Sequence, residues 1–387
     1  MAAGGAFGRL GDIVKNLYGE KRTARTQQEL NGILDSHERF AASNGGMRAQ
    51  LPMSDLTGLN LANRTLSEAD FTGASLVDAN LFGTNFKRAS FYCADLQRTD
   101  LRNTNLCYAD MRGASLKGAN LAGAKMDNAD LRAAMMMYVA PDGSSSMVAG
   151  SEKGPQGVDF TNCSLKHVSF GNAKLDDVNF SGAILHGAVF RGAKLKNACF
   201  KGAVLTGVHL KDLDLPPDVL KHCITDPSEE VIAGFDKQRD KLDSHQHWIV
   251  SGGKEGHHCV LDGEDIRLLK KIVVGRPLTG LSARNAVGIG LNFAGCQLQG
   301  ARFDGADLRD ADFSGADLRG ASFRGARLSH ARFDKADLRS LPLTSGQIRV
   351  TDFNDAIAVQ EQFATARFDS ATVVMGLAGQ IPTATAA

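Results

Sequence analysis

The sequence predicts an all-β solenoid, a chain that turns a corner every five residues and closes a square coil every twenty. Three observations carry that prediction. Large apolar residues recur at every fifth position from Leu56 to Leu131 without a miss, again from Phe160 to Leu215, and again from Phe293 to Leu338. A small residue usually stands two places before each, and Asp, Asn or Ser one place before, as in Ala69-Asp70-Phe71 and Ala79-Asn80-Leu81. The composition is that of one small unit used many times: 42 Gly, 9 Pro, one Trp, four Tyr and 20 Phe in 387 residues.

A period of five excludes the two common elements. At about 100° per residue an apolar row with this spacing drifts round a helix, and at about 180° it changes face on a strand at every step. Regular corners remove both conflicts. Coils then stack through backbone hydrogen bonds at about 4.8 Å, the ordinary strand spacing. Inside a narrow square there is room for one large side chain per face, so the second inward residue must be Ala-sized. Asp or Asn at the corner hydrogen-bonds nearby amides and holds the turn.

The unit resembles the pentapeptide-repeat family, whose motif is A(D/N)LXX. The resemblance covers roughly 38 units, about half of the chain. It implies a right-handed quadrilateral β-helix, with the central Leu or Phe and the preceding small residue pointing inward. Here the inward roles fall to Leu56 through Leu131, Phe160 through Leu215 and Phe293 through Leu338 at five-residue steps.

Taken in order, residues 1–50 are expected to hold N-terminal helices and a cap. Phe7, Leu10, Ile13, Val14, Leu17 and Tyr18 have helical spacing, and Thr26 with Glu29 forms a capping box before Leu30, Ile33, Leu34 and His37. Residues 51–217 form the first solenoid, with a loop insertion at about 134–157, where Met135, Met136 and Met137 precede Pro141-Asp142-Gly143. Pro216 and Pro217 end that block. Residues 218–260 are a helical linker and second cap, the helix starting at Asp226-Pro227 with Glu229 and running to about Trp248. Residues 261–375 form the second solenoid, regular from 291 to 340, and 376–387 are a tail.

The two caps look duplicated. Leu34-Asp35-Ser36-His37 matches Leu242-Asp243-Ser244-His245, an aromatic follows each His by three residues (Phe40, Trp248), and Ser43 and Gly45 match Ser251 and Gly253. Each helix is expected to cover an open coil end, where stacked strands otherwise expose an edge. In the second and third blocks Phe and Leu alternate. With four faces per coil, Phe160 and Phe170 should oppose one another and Phe180 should stack on Phe160. On the outside, Asp307 should lie over Arg327, Asp312 over Arg332 and Asp304 over Arg324, as exposed pairs.

Candidate chemistry is sparse. His245, His247, His257, His258 and Cys259, with His222 and Cys223, are metal-ligand types, but their spacing fits no zinc signature, and His245 has a structural counterpart in His37. Gly252-Gly253-Lys254 lacks the phosphate-loop spacing, and Gly45-Gly46 is no more informative. Asp and Asn are abundant because the repeat uses them. No catalytic, cofactor-binding or metal residue is assigned, and no cofactor is expected.

Charge limits the function. Lys plus Arg number 44 and Asp plus Glu 43. Neither a phosphate-binding basic surface nor an acidic rod follows, so no nucleic-acid partner is expected. Residues 51–135 carry 9 acids and 9 bases, 158–215 carry 5 and 7, and 291–339 carry 7 and 8. This disfavours the acidic, DNA-mimicking, topoisomerase-binding subgroup of the quinolone-resistance type. A second alternative is a secreted effector held on host membranes by its N-terminal helix. No apolar stretch of about 18 residues is present to span a membrane, and the N-terminus lacks a standard export signal. Seven Cys without CxxC spacing fit a reducing cytoplasm. The expected protein is a bacterial, non-enzymatic scaffold that binds a protein partner.

Overall fold

The structure, a computed structural model, describes residues 22–139, 145–149 and 157–370. The amphipathic segment Phe7–Tyr18, the Pro141–Ser144 stretch of the expected loop and the tail 376–387 lie outside them. The chain divides into two compact units, Met1–Asp226 and Pro227–Ala387.

In the first unit β1 (Thr23–Ala24) pairs in parallel with β2 (Ser54–Asp55), and between them lies helix α1 (Gln27–Ala41). The capping box that opens α1 is formed on both sides, Thr26 taking the Glu29 amide and Glu29 the Thr26 amide. The chain then winds as a β-helix-type solenoid. Parallel bridges join Gln50 to Asp70, Asp55 to Ser75, Asn60 to Asn80 and Thr65 to Asn85, four per coil of twenty residues, and the pattern repeats up to Asp110–Asp130.

Each five-residue unit builds its own corner. The central residue's carbonyl accepts the amide three residues on, as from Ala74 to Phe71 (3.0 Å). The third residue of that turn is left-handed: Gly58, Asn63, Glu68, Gly73 and Asp78 all have φ between 57° and 71°. Gly and Asn tolerate that region best, so the corner explains the glycine content. The Asp or Asn before the central residue accepts the amide two residues beyond itself, as Asp70 does from Thr72 (2.9 Å) and Asn80 from Phe82 (3.1 Å).

The inward row is buried as its period requires: no central residue from Leu56 to Leu131 is more than 5% exposed. Phe160 and Phe180 stack parallel at 5.3 Å, and Phe160 meets Phe170 edge-on at 6.2 Å.

The expected loop after Leu131 is instead an antiparallel hairpin of β3 (Met135–Val139) and β4 (Ser145–Ala149). The solenoid resumes in register across it, Asn120 bridging Asp159 and Asp130 bridging Ser169. The end of the block also differs from expectation. The five-residue phase stops near Val208, a 3-10 turn spans Leu210–Leu213, and Leu213 is the residue buried there. Leu195, Leu210 and Leu215, expected inward, are only half-buried because no full coil follows to cover them. Helix α2 (Pro217–Leu220) closes this stretch.

In the second unit the helix start differs from expectation. Ser228, not Asp226, caps α3 (Glu229–Ala233), its hydroxyl taking the Val231 amide, and α4 (Phe235–Val250) follows directly. The first coil is two residues longer than the twenty-residue coils that follow it. Val260 bridges Ser282, with the 3-10 turn Arg267–Lys271 taking up the difference. Twenty-residue spacing then holds until a small hairpin, β5 (Leu341–Pro342) with β6 (Ile348–Arg349), interrupts it. The coil continues beyond, Ser322 bridging Asp352, and Phe353 and Phe363 stack on Phe323 and Phe333 at 4.9 and 4.7 Å.

Candidate functional site: outer faces and the duplicated cap

The corner chemistry decides which side chains remain available outside. Where a unit reads Asp, central residue, Arg, the Arg folds back on the Asp of its own corner. Asp100–Arg102, Asp110–Arg112, Asp130–Arg132, Asp317–Arg319 and Asp337–Arg339 all form two-pronged pairs through Nε and a terminal nitrogen at 2.6–2.9 Å. The Arg102 and Arg339 guanidiniums hold the carboxyls of Asp100 and Asp337 below the usual range. The motif Asp-x-Arg, with x inward, is legible in the sequence once the corner geometry is known.

The stacked outer pairs are partly as expected. Arg327 reaches Asp307 and Arg332 reaches Asp312, each at 3.4 Å. Arg324 instead pairs with Asp352 at 3.3 Å, while Asp304 accepts the Ser322 hydroxyl. Nor is the Asp307 pair exposed: Arg309 is fully buried against Asp307, which is 8% exposed. The twenty-residue stacking that predicts these contacts does not anticipate the two-residue clasp.

On the first solenoid, aromatic side chains sit over arginines one coil away. Arg102 lies over Phe82 at 5.5 Å, Arg112 over Tyr92 at 5.2 Å and Arg88 over Tyr108 at 5.9 Å, with Tyr108 half-exposed. The five-residue period does not by itself announce these pairs. Their signal is an aromatic one or two places after a central residue, with Arg twenty residues away.

The duplicated cap holds in three dimensions. Leu34 and Leu242 are buried, and so are His37 and His245. His37 Nδ1 accepts the Ala49 amide (2.9 Å) and His245 Nδ1 accepts the Cys259 amide (3.1 Å). Each imidazole therefore carries its proton on Nε2 and ties its helix to the first inward residues of its solenoid. Burial depresses both pKa values, His245 to about 4 with His258 adding to the effect. Phe40 and Trp248 lie against the two rings at 5.9 and 5.5 Å. The matching of Gly45 with Gly253 needs revision. A Cβ on Gly46 would run into the Ser36 carbonyl and one on Gly256 into the Ser244 carbonyl, so Gly46 and Gly256 are the equivalents. The second turn is two residues longer.

The candidate ligands hold other roles, although the His258 ring meets the His245 ring edge-on at 5.5 Å. His258 Nε2 lies 2.7 Å from the Gly280 carbonyl, and His257 Nδ1 lies 3.4 Å from the Ser244 hydroxyl. Burial pushes the Cys259 thiol up to about 12, and the Cys223 thiol bonds the Phe200 carbonyl at 3.2 Å. His222 and His247 are exposed. Among the described residues no three His, Cys, Asp or Glu side chains are grouped to hold a metal, and no helix is long and apolar enough to cross a membrane.

A family profile described as Pentapeptide repeats matches in eight copies over residues 54–91, 94–132, 156–182, 173–212 and 301–339. Among solved structures, a pentapeptide repeat protein of the Arabidopsis thaliana thylakoid lumen is 31% identical, over 30% of this chain and 67% of that one, with a TM-score of 0.20. QnrB1, a plasmid-mediated fluoroquinolone resistance protein, is 22% identical over 46% of this chain and 89% of its own, with a TM-score of 0.27. HetL from the cyanobacterium Nostoc sp. strain PCC 7120, involved in heterocyst differentiation regulation, is 18% identical over 89% and 98%, with a TM-score of 0.13. No curated protein matches the chain. Proteins of this repeat class are right-handed β-helix-type solenoids and generally structural or binding proteins rather than enzymes. The repeat profile, and coils that bridge residue to residue at twenty-residue spacing, place this chain in the pentapeptide-repeat family.

Proposed function

We propose that this protein is a non-enzymatic scaffold that binds a protein partner on the outer faces of its square-sectioned coils. In this reading α1 and α4 each close the N-terminal end of one solenoid. One observation carries the proposal: Phe82, Tyr92 and Tyr108 with Arg102, Arg112 and Arg88 sit in pairs beside three different β-ladders of the rigid coil. Aromatic and Arg side chains are enriched among the residues that anchor protein interfaces. Here the coil fixes their positions before binding, which lowers the entropy cost of association.

The duplex-mimic alternative gains nothing from the side-chain arrangement, since each Asp-x-Arg clasp cancels the acid that such a rod needs. The membrane-effector alternative depends on Phe7–Tyr18, outside the described residues. All seven cysteines are free, consistent with work in a reducing cytoplasm. The test is affinity capture and mass spectrometry with the wild type and a Tyr92→Ser/Tyr108→Ser variant of unchanged thermal stability. The variant should lose the specific partner. Equal capture by both would reject these aromatic positions as the binding surface.

A further inference from the structure

The first solenoid ends on an unpaired β-edge, and we propose that this edge binds an extended acidic segment of a protein partner as an added strand. Within the coils below, each central amide donates to the next coil, as Phe170 does to Val189 and Leu175 to Lys194. One coil later the pattern stops along residues 190–198, while Gly202 and Leu205 still donate to His222 and Ile224. Among the described residues the amides of Phe190, Gly192, Leu195 and Asn197 donate to no acceptor, and the carbonyls of Ala193 and Ala198 accept nothing. Exposure follows the same step. Ala173, Leu175 and Val178 are at most 3% exposed, whereas Ala193, Leu195 and Ala198, twenty residues on, are only half-buried. The edge therefore offers alternating donors and acceptors with an open apolar row behind them, the arrangement that β-strand addition uses.

Charge selects the occupant. Residues 191–201 contain Arg191, Lys194, Lys196 and Lys201 and no acid, and all four basic side chains are exposed. Two copies joined through this edge would set those like charges against each other, so a second copy is disfavoured. An incoming strand with carboxylates at alternate positions would neutralise Arg191, Lys194 and Lys196 while its backbone completes the ladder. This rests on the scaffold reading and adds to it the chemistry of one partner segment.

The experiment uses the full chain and a labelled peptide of alternating threonine and glutamate, followed by fluorescence anisotropy at low salt. The peptide should bind, weaken as salt rises, and slow amide hydrogen exchange at Phe190–Asn197. A threonine–lysine peptide should not bind. Lys194→Glu/Lys196→Glu should cut affinity at least about tenfold, and the milder Lys194→Gln/Lys196→Gln pair, checked for an unchanged melting curve, should lie between. No binding, equal binding by the reversed variant, exchange protection elsewhere, or a dimer formed through this edge would each overturn the proposal. A captured partner lost on Tyr92→Ser/Tyr108→Ser but kept on Lys194→Glu/Lys196→Glu would reject the edge and leave the scaffold reading standing.

Discussion

Phe180 stacks between Phe160 and Phe200 at 5.3 and 5.0 Å, and Phe313 between Phe293 and Phe333 at 5.2 and 5.1 Å. Both rings are fully buried, and the coils above and below hold the walls apart, so truncation leaves a cavity that cannot collapse. Phe180→Ala and Phe313→Ala should each cost about 3–5 kcal/mol, measured by urea denaturation. Arg324→Ala, on an exposed side chain paired at 3.3 Å, should change stability by less than about 0.5 kcal/mol. Asp304 is a different case from a bare outer residue because it takes the Ser322 hydroxyl. Its replacement by Ala should cost about 1 kcal/mol, the value of one hydrogen bond. If Phe180→Ala and Arg324→Ala had equal effects, the inward and outward assignment would be wrong.

The helix–turn–coil cap is the element that the chain uses twice, and two of its residues make it testable. Gly46 and Gly256 have φ of 84° and 76° and face a backbone carbonyl that cannot move away. Gly46→Ala should therefore destabilise far more than Gly45→Ala, whose Cβ meets nothing, although both positions have positive φ. The buried histidines add a pH dependence of definite sign. A folded pKa below the ordinary value of about 6.5 means that the neutral ring is the folded form. Above that pH folded and unfolded chains bind the same protons at these sites, and the full stability is present. As pH falls below it, the unfolded chain takes up protons that the cap refuses, and stability declines until the folded ring itself titrates, near about 4 for His245. For His245 the loss is of the order of 3 kcal/mol across that window. Urea midpoints measured from neutral pH downward should show this decline, and His245→Gln should flatten part of it. A His245→Gln profile parallel to the wild type would assign the slope to other groups.

For the whole molecule, the division into Met1–Asp226 and Pro227–Ala387 predicts two cooperative unfolding steps. Limited proteolysis should cut first near Asp226–Glu229, between the last coil of one unit and the helices of the next, and should spare residues 291–339, where the bridges are continuous. Early cleavage throughout 291–339, or one unfolding transition seen by every probe, would contradict the division.

The period of five by itself determined the coil, its inward row and the Phe columns, because a closed β-coil repeats its environment at fixed spacing and leaves only one choice of face. It also carried the duplicated cap, since Leu34 and Leu242 and the two histidines are held by local contacts that recur with their sequence. Only the tertiary structure decided where the register bends. Gly288 occupies an inward position, where an added Cβ would lie 2.9 Å from Leu308 and 3.0 Å from Leu291. Leu291 is fully buried where the repeat calls for a small residue, so the large and small positions are exchanged there and the written pattern fades while the coil continues. Past Leu338 the hairpin Leu341–Arg349 delays the next coil, so Phe353 and Phe363 reach their columns thirty residues after Phe323 and Phe333, in step with the count of five but not with the coil of twenty. The burial of Arg309 and the open edge at Leu195 belong to the same class. Both depend on what the neighbouring coil supplies, or fails to supply, and a single repeat unit does not encode its neighbour.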